Sequence, residues 1–165
     1  MAAALHEHPH EPVHVDRAVP ADAEGILDVV RAAMTVYVRE SRIPGVVDSL
    51  REQVGDVLSH IVQDAVFVAR RGSRIVGTVR ISTEPDGFAY LSRFAVLPGN
   101  QSLGIGSRLF DAAEAYMAEA GIHTVRLHTA LTNRNLVRFY ERKGFRLVGS
   151  SDDRGYPRGL FIKEF

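Results

Sequence analysis

The chain has 165 residues, enough for one domain, and at that length about 68–70% of the unfolded surface can be buried without a covalent or metal staple. Twenty basic residues balance twenty acidic ones, so nothing in the net charge draws the chain toward nucleic acid or an anionic membrane. Cysteine is absent, which excludes disulfides, thiolate metal sites and a thiol nucleophile together.

Met1–Leu5 is too short, and too quickly followed by charge and proline, to read as a signal peptide. No window approaches the ~18 apolar residues of a membrane span, so the expectation is a cytoplasmic protein with no membrane partner. Residues 1–12 read as a flexible leader carrying His6, His8 and His10, with His14 just beyond. Alternating imidazoles can ligate a transition metal, but weakly basic termini are commonly disordered, and no catalytic metal is expected. The domain proper is expected over 13–165.

Val13–Val19 has strand composition and is closed by Pro20. Pro20-Ala-Asp22 then opens an amphipathic helix with Ile26, Leu27, Val30, Ala33 and Met34 at helical spacing, running to about Val38. After the Pro44-Gly45 break, Leu50, Val54, Val57, Leu58 and Ile61 predict a second helix from about Asp48. Ala65–Arg70, Ile75–Ser82 and Phe88–Val96 predict three consecutive strands joined by the turns at Gly72 and Gly87. A long helix is predicted over Gly104–Glu119 and stopped by Gly121, then a strand over His123–Ala130 and a helix from Thr132-Asn133 through Lys143. Arg146–Gly149 and Gly159–Phe165 predict two closing strands around the polar loop Ser150–Arg158. The order implies a mixed α/β fold, one central mixed sheet of six to seven strands flanked by about four helices.

The segment with chemistry in it is Phe94 to Leu109, where a strand ends, a glycine-containing turn follows and a helix begins at once. Unpaired backbone N–H groups and the positive end of the helix dipole then point at one spot, which is how phosphate or pyrophosphate is bound. A P-loop is ruled out because no Gly-Lys-Ser/Thr occurs, and the dinucleotide fingerprint fails because Leu109 stands where its third glycine belongs.

The pattern Gln/Arg-x-x-Gly-x-Gly/Ala is met by Gln101, Gly104 and Gly106. It follows a strand ending Ala95-Val96-Leu97-Pro98, and Asn133-Arg-Asn-Leu-Val-Arg-Phe139-Tyr140-Glu-Arg-Lys-Gly144-Phe145 comes about thirty residues later. This combination resembles the GNAT superfamily of N-acetyltransferases, and the resemblance extends from about Val13 to Phe165.

The resemblance implies a sheet splayed in its middle and acetyl-coenzyme A as co-substrate. It places the pantetheine arm on the backbone of Phe94, Ala95 and Val96, where an N–H stabilises the oxyanion. It lays the pyrophosphate on the N–H groups of Gln101, Ser102, Leu103, Gly104, Ile105 and Gly106, with the Ser107 hydroxyl added. Asn133 then lies beside the cofactor arm, or caps a helix, or both. Tyr140 faces the departing thiolate as general acid, or simply packs beside Phe139 and Phe145. Many relatives carry an acidic base on the fourth strand, but this chain reads Leu91-Ser92-Arg93 there. His128 is the leading candidate base, with Glu84 or a water chain as alternatives.

The acceptor groove implied by the resemblance is walled by Val38–Val47 and Ser150–Arg158. Arg80 and Arg93 on neighbouring strands can favour a carboxylate-bearing, amino-acid-like acceptor, or each can pair with a nearby acid. The function expected is acetyl transfer to a primary amine of a small molecule, by direct attack in a ternary complex. The alternative is an acyl-coenzyme A sensor without turnover. Homodimers are common in the superfamily, but no interface can be read from this sequence.

Overall fold

The structure, a computed structural model, describes residues 11–165, with the side chain of Ser102 outside the description. The leader histidines His6, His8 and His10 lie outside the described residues.

In chain order the elements are β1 (Val13–Arg17), α1 (Ala23–Glu40), α2 (Asp48–Arg51), α3 (Val54–Gln63), β2 (Ala65–Arg71), β3 (Arg74–Thr83) and β4 (Ala89–Val96). Then come α4 (Ile105–Glu119), β5 (Thr124–Ala130), α5 (Arg134–Arg142), β6 (Arg146–Ser151) and β7 (Arg158–Glu164). The strands form a single seven-stranded sheet in the order β1-β2-β3-β4-β5-β7-β6. Every neighbouring pair is antiparallel except β4 and β5.

The sheet is covered on both faces, and β2 shows why its sequence is an unbroken apolar run. Ala65, Phe67 and Ala69 pack in the cluster with α4, whereas Val66 and Val68 pack in the cluster with α1 and α3. Successive side chains point to opposite faces, so a strand buried on both sides loses its polar alternation. In α4, Ile105, Leu109, Ala113 and Met117 recur every fourth residue and are all buried. That helix ends as its sequence predicts: Gly121 adopts φ +70, and the N–H of Ile122 donates to the Met117 carbonyl at 2.9 Å.

The region 48–63 departs from expectation. One continuous helix is predicted there, but the backbone is extended at Glu52 and Gln53, and two helices result. α3 restarts because the Asp56 carboxylate accepts the Gln53 N–H at 2.9 Å, closing a helix cap. The break turns Glu52 inward, where it is 7% exposed. Arg80 donates to both of its oxygens, at 2.6 and 3.2 Å, and Arg93 donates from Nε at 3.1 Å. Burial by itself would raise the Glu52 carboxyl, but the Arg80 hydrogen bonds and both guanidinium charges outweigh it and hold the group below the usual carboxylate range.

The sheet is splayed in its middle. Between β4 and β5 only Ala89 pairs with Val125 and Tyr90 with Arg126, and the ladder stops there. On the other side of β4, Ser92 faces Arg80 and Ala95 faces Thr78, so Arg93 and Phe94 together oppose Val79 alone. This bulge bends β4 away from β5. Arg93 stands at φ +49, a left-handed conformation costing an L-residue about 1–2 kcal/mol. The ion pair to Glu52 on one residue and ring packing on the next hold it there: Phe94 lies 5.0 Å from Phe110, edge-on, and 5.5 Å from Phe139, stacked. Among the described residues no helix is long and apolar enough to cross a membrane.

Removing one member of a buried ion pair typically costs about 3–5 kcal/mol, because the partner charge is stranded. Glu52→Gln is therefore expected to lower stability by about 3 kcal/mol in urea unfolding. Because the folded carboxyl is depressed, the wild-type advantage is complete above the unfolded-state value near 4.5 and fades as pH falls below it. The gap between the two proteins should narrow on acidification in the same way.

Candidate functional site

Two clefts open on the two sides of the splay. The first, of about 400 Å³, is lined by Phe94, Ala95 and Val96 of β4, by Gln101, Gly104, Gly106 and Ser107 at the start of α4, and by Asn133, Leu136 and Phe139 around the start of α5. The second, of about 390 Å³, is lined by Tyr90, Arg93 and His128 of the strands, by Asp48 and by Arg154, Tyr156 and Arg158. Met34, Tyr37, Phe94 and Leu136 line both, so the clefts meet where β4 leaves β5.

The first cleft ends at the N-terminus of α4. Gln101–Leu103 forms a single 3-10 turn and Gly104 follows at φ +72, so the α-helix begins one residue later than its sequence predicts. The first helical hydrogen bond runs from the Arg108 N–H to the Gly104 carbonyl at 3.2 Å, and no side chain caps the end. The N–H groups of Ile105, Gly106 and Ser107 precede that bond and have no acceptor within the helix. No acidic side chain stands in this first turn, so its positive dipole end is uncompensated.

The two glycines serve different ends. A Cβ on Gly104 would meet nothing within 4 Å, so its requirement is the left-handed backbone. A Cβ on Gly106 would come within 2.9 Å of Phe94 Cζ, so its requirement is the close passage of α4 over β4. Open space in front of uncompensated N–H groups fits a phosphate or pyrophosphate.

Not every residue expected around the cofactor enters this cleft. Ile105 is fully buried in the core, and Leu103 is 47% exposed beside a separate hollow with Arg71 and Arg74. Both can contribute only backbone. Asn133 is a helix cap: its Oδ1 accepts the Leu136 N–H at 3.2 Å, and its Nδ2 donates to Ser41 Oγ at 3.1 Å. It also lines the cleft. Tyr140 lies in the second cleft, ringed by Phe94, Phe110, Phe139, Phe145 and Phe161, and burial pushes its phenol far up.

In the second cleft, His128 Nδ1 is hydrogen-bonded to the Tyr90 hydroxyl at 2.6 Å. Desolvation lowers the histidine, and the positive charges of Arg158 and Arg154 lower it further, so the ring is neutral at pH 7. Desolvation raises Tyr90 against the opposing pull of Arg158, Arg154 and Arg93. Glu84 stands outside this lining and pairs with Arg126 at 3.3 Å. Arg80 and Arg93 do face the same cleft; Arg80 gives Glu52 two donors, and Arg93 gives it Nε alone. Tyr37 carries no signal in the sequence beyond its place in α1. It ties α1 to β5 by accepting the Ala130 N–H at 2.8 Å.

Residues 33–145 match the model of the Acetyltransferase (GNAT) family, more than half of the chain. The chain belongs to the GNAT family. An uncharacterised N-acetyltransferase of Mycobacterium tuberculosis is 31% identical over 86 residues, covering 52% of this chain and 55% of that protein. The mycothiol acetyltransferase of Propionibacterium freudenreichii subsp. shermanii is 36% identical over 72 residues, 44% of this chain and 22% of that protein. The chain thus spans about half, or less, of the length of these curated relatives.

Among solved structures, the PaiA N-acetyltransferase of Thermoplasma acidophilum, in complex with coenzyme A, superimposes with a TM-score of 0.79 at 19% identity, over 93% of this chain and 99% of that one. Ard1 from Thermoplasma volcanium gives 0.75 at 19% identity, over 92% and 97%. At such identities the likeness is one of fold, and it places this chain's seven-stranded sheet among GNAT architectures.

Ser107→Asp separates the anion cradle of this GNAT chain from its folding. A carboxylate in the first turn stabilises a helix by about 0.3–1 kcal/mol but repels a bound phosphate. The melting temperature should hold or rise, while calorimetry with coenzyme A should show affinity lowered at least about tenfold, the equivalent of 1.4 kcal/mol. Unchanged affinity would remove the pyrophosphate from this helix end.

Proposed function

We propose that the chain transfers an acetyl group from acetyl-coenzyme A to the primary amine of a small molecule, by direct attack within a ternary complex. The observation that carries this reading is the meeting of two clefts at Met34, Tyr37, Phe94 and Leu136, beside the stretch of β4 that has no β5 partner. One cleft ends in an anion cradle and the other in a histidine–tyrosine pair, so two different ligands can reach one point. A covalent acyl-enzyme on sulfur is ruled out, since the chain has no cysteine.

Acetyl-coenzyme A, when bound, supplies an acyl group already activated as a thioester. The N–H groups of Ile105, Gly106 and Ser107 and the Ser107 hydroxyl hold the pyrophosphate. The backbone of Phe94, Ala95 and Val96 holds the pantetheine arm, and an N–H of this stretch polarises the carbonyl under attack. Leu136 and Phe139 exclude water from the arm.

An amine attacks only after losing its proton. His128, neutral at pH 7, takes that proton at Nε2 when its Nδ1–H donates to the Tyr90 oxygen. Tyr140 remains protonated at every pH the enzyme meets and donates its hydroxyl proton toward the departing sulfur. Tyr37, shared by both clefts and tied to Ala130, fixes the distance between them.

The first test is thiol release from acetyl-coenzyme A with a broad panel of amines. Coenzyme A binding without turnover on any amine would instead favour an acyl-coenzyme A sensor. Tyr140→Phe keeps every ring contact, so it should leave stability and coenzyme A affinity unchanged while lowering kcat about 10–100-fold, within the range of general-acid effects. An unchanged kcat would return Tyr140 to packing. For His128, kcat should fall on the acid side with an apparent pKa below about 6.5, the unperturbed value. His128→Gln should lose that limb; a limb left intact would assign the base elsewhere.

A further inference from the structure

The second cleft has an unusual charge balance for a site expected to take an amine. Four guanidinium groups line it, those of Arg80, Arg93, Arg154 and Arg158. Glu52 behind the floor and Asp48 on the rim pair with three of them, and Asp153 adds a negative charge that Arg154 and Arg158 feel without forming an ion pair with it. At the floor, Arg80 takes both oxygens of Glu52, and Arg93 reaches the same carboxylate only through Nε. Two cations thus share one anion, and a positive charge is left over in a place where charge is poorly solvated. The Arg80 Nε is itself buried with no hydrogen-bond partner.

At the rim, Arg154 meets Asp48 at 3.4 Å with both side chains more than half exposed, a pairing that contributes little. Arg158, half-buried at the start of β7, forms no ion pair with any described residue. Arg93, Arg154 and Arg158 line the same cleft as the hydrogen-bonded Tyr90–His128 pair, so three guanidinium groups share one cavity with it. A purely cationic acceptor, such as a polyamine, is repelled by this arrangement. A ligand that brings its own anion close to its amine satisfies it. Arginine suits that task because its planar fork of donors matches a carboxylate. Arg93 is also fixed in advance by the bulge and by Glu52, so little ordering cost remains on binding.

We infer that the acceptor is a small primary amine that also carries a carboxylate, of amino-acid size, and that Arg158 holds this carboxylate together with Arg93 and Arg154. Arg80, paired to Glu52, positions Arg93 and does not itself bind the acceptor. This rests on the acetyl-transfer reading above and specifies its second substrate.

The experiment measures thiol release with acetyl-coenzyme A for free amino acids, for the carboxamides of the same amino acids, for a polyamine and for phosphoethanolamine. The best free acid should exceed its own carboxamide by about 30-fold or more in kcat/KM, an effect the size of a charge-assisted hydrogen-bonded pair. Arg158→Gln should reduce that preference at least about tenfold, through KM rather than kcat, and Arg158→Lys should restore part of it. Arg146→Gln, at an exposed pair on β6, should change nothing. Carboxamides or the polyamine matching the free acids would overturn the inference while leaving acetyl transfer standing, and so would a preference for phosphoethanolamine. Failure of every amine to release thiol would overturn the acetyl-transfer reading itself. An undiminished preference in Arg158→Gln would remove the carboxylate from this residue.

Discussion

One extra residue on β4 decides the shape of the molecule. Arg93 and Phe94 together face Val79, and the strand that would otherwise run flat against β5 turns away after Tyr90. A positive φ on an arginine is uphill, so the surroundings have to over-determine it. Glu52 holds the side chain of one bulge residue, and Phe110 and Phe139 hold the ring of the next. Glu52 is in position only because the helix that would have carried it breaks, and Gly106 lacks a side chain only because Phe94 is there. The break in α2–α3, the buried ion cluster, the bulge and the glycine turn are thus parts of one constraint.

That constraint makes two sites of opposite construction. In one, positive potential comes from backbone: a bare helix end, with Gly104 clearing the approach. In the other it comes from side chains, two of which share a single carboxylate. Between them stand two phenols and an imidazole, each moved by burial toward its neutral form. Neutral proton carriers in a positive field are suited to moving a proton without holding a charge afterwards.

Most of this order was legible in the sequence, because strands and helices of this chain obey the periods of 2 and 3.6 that local patterns reveal. All seven strands and the long helices fall where apolar spacing and turn residues place them. The helix break at Glu52 was not legible. No proline or glycine marks it, and its only local signature is Asp56 standing three residues after Gln53. The ion cluster was invisible for a different reason: Glu52 meets Arg80 and Arg93 across 28 and 41 residues of chain. Tyr37 reaches Ala130 across 93, and Tyr90 reaches His128 across 38. The bare helix end after Gly104 could be read because it lies within one continuous segment. The pairings on the acceptor side could not, because they are made between distant segments, although the wall 150–158 and Arg93 were named from the sequence and do line that cleft.

The incomplete β4–β5 ladder has a consequence for what can add to this sheet. A row of unpaired strand donors and acceptors is normally a hazard at the rim of a sheet, where another chain can add to it. Here the bare row is interior, between the seventh strand's neighbour on one side and β3 on the other, with α1 and α5 over its mouth. Its free donors and acceptors face the first cleft instead of another chain, since Phe94, Ala95 and Val96 line that cleft. The seam therefore keeps the hydrogen-bonding capacity of a β-edge while helices, and not a neighbouring sheet, stand over it.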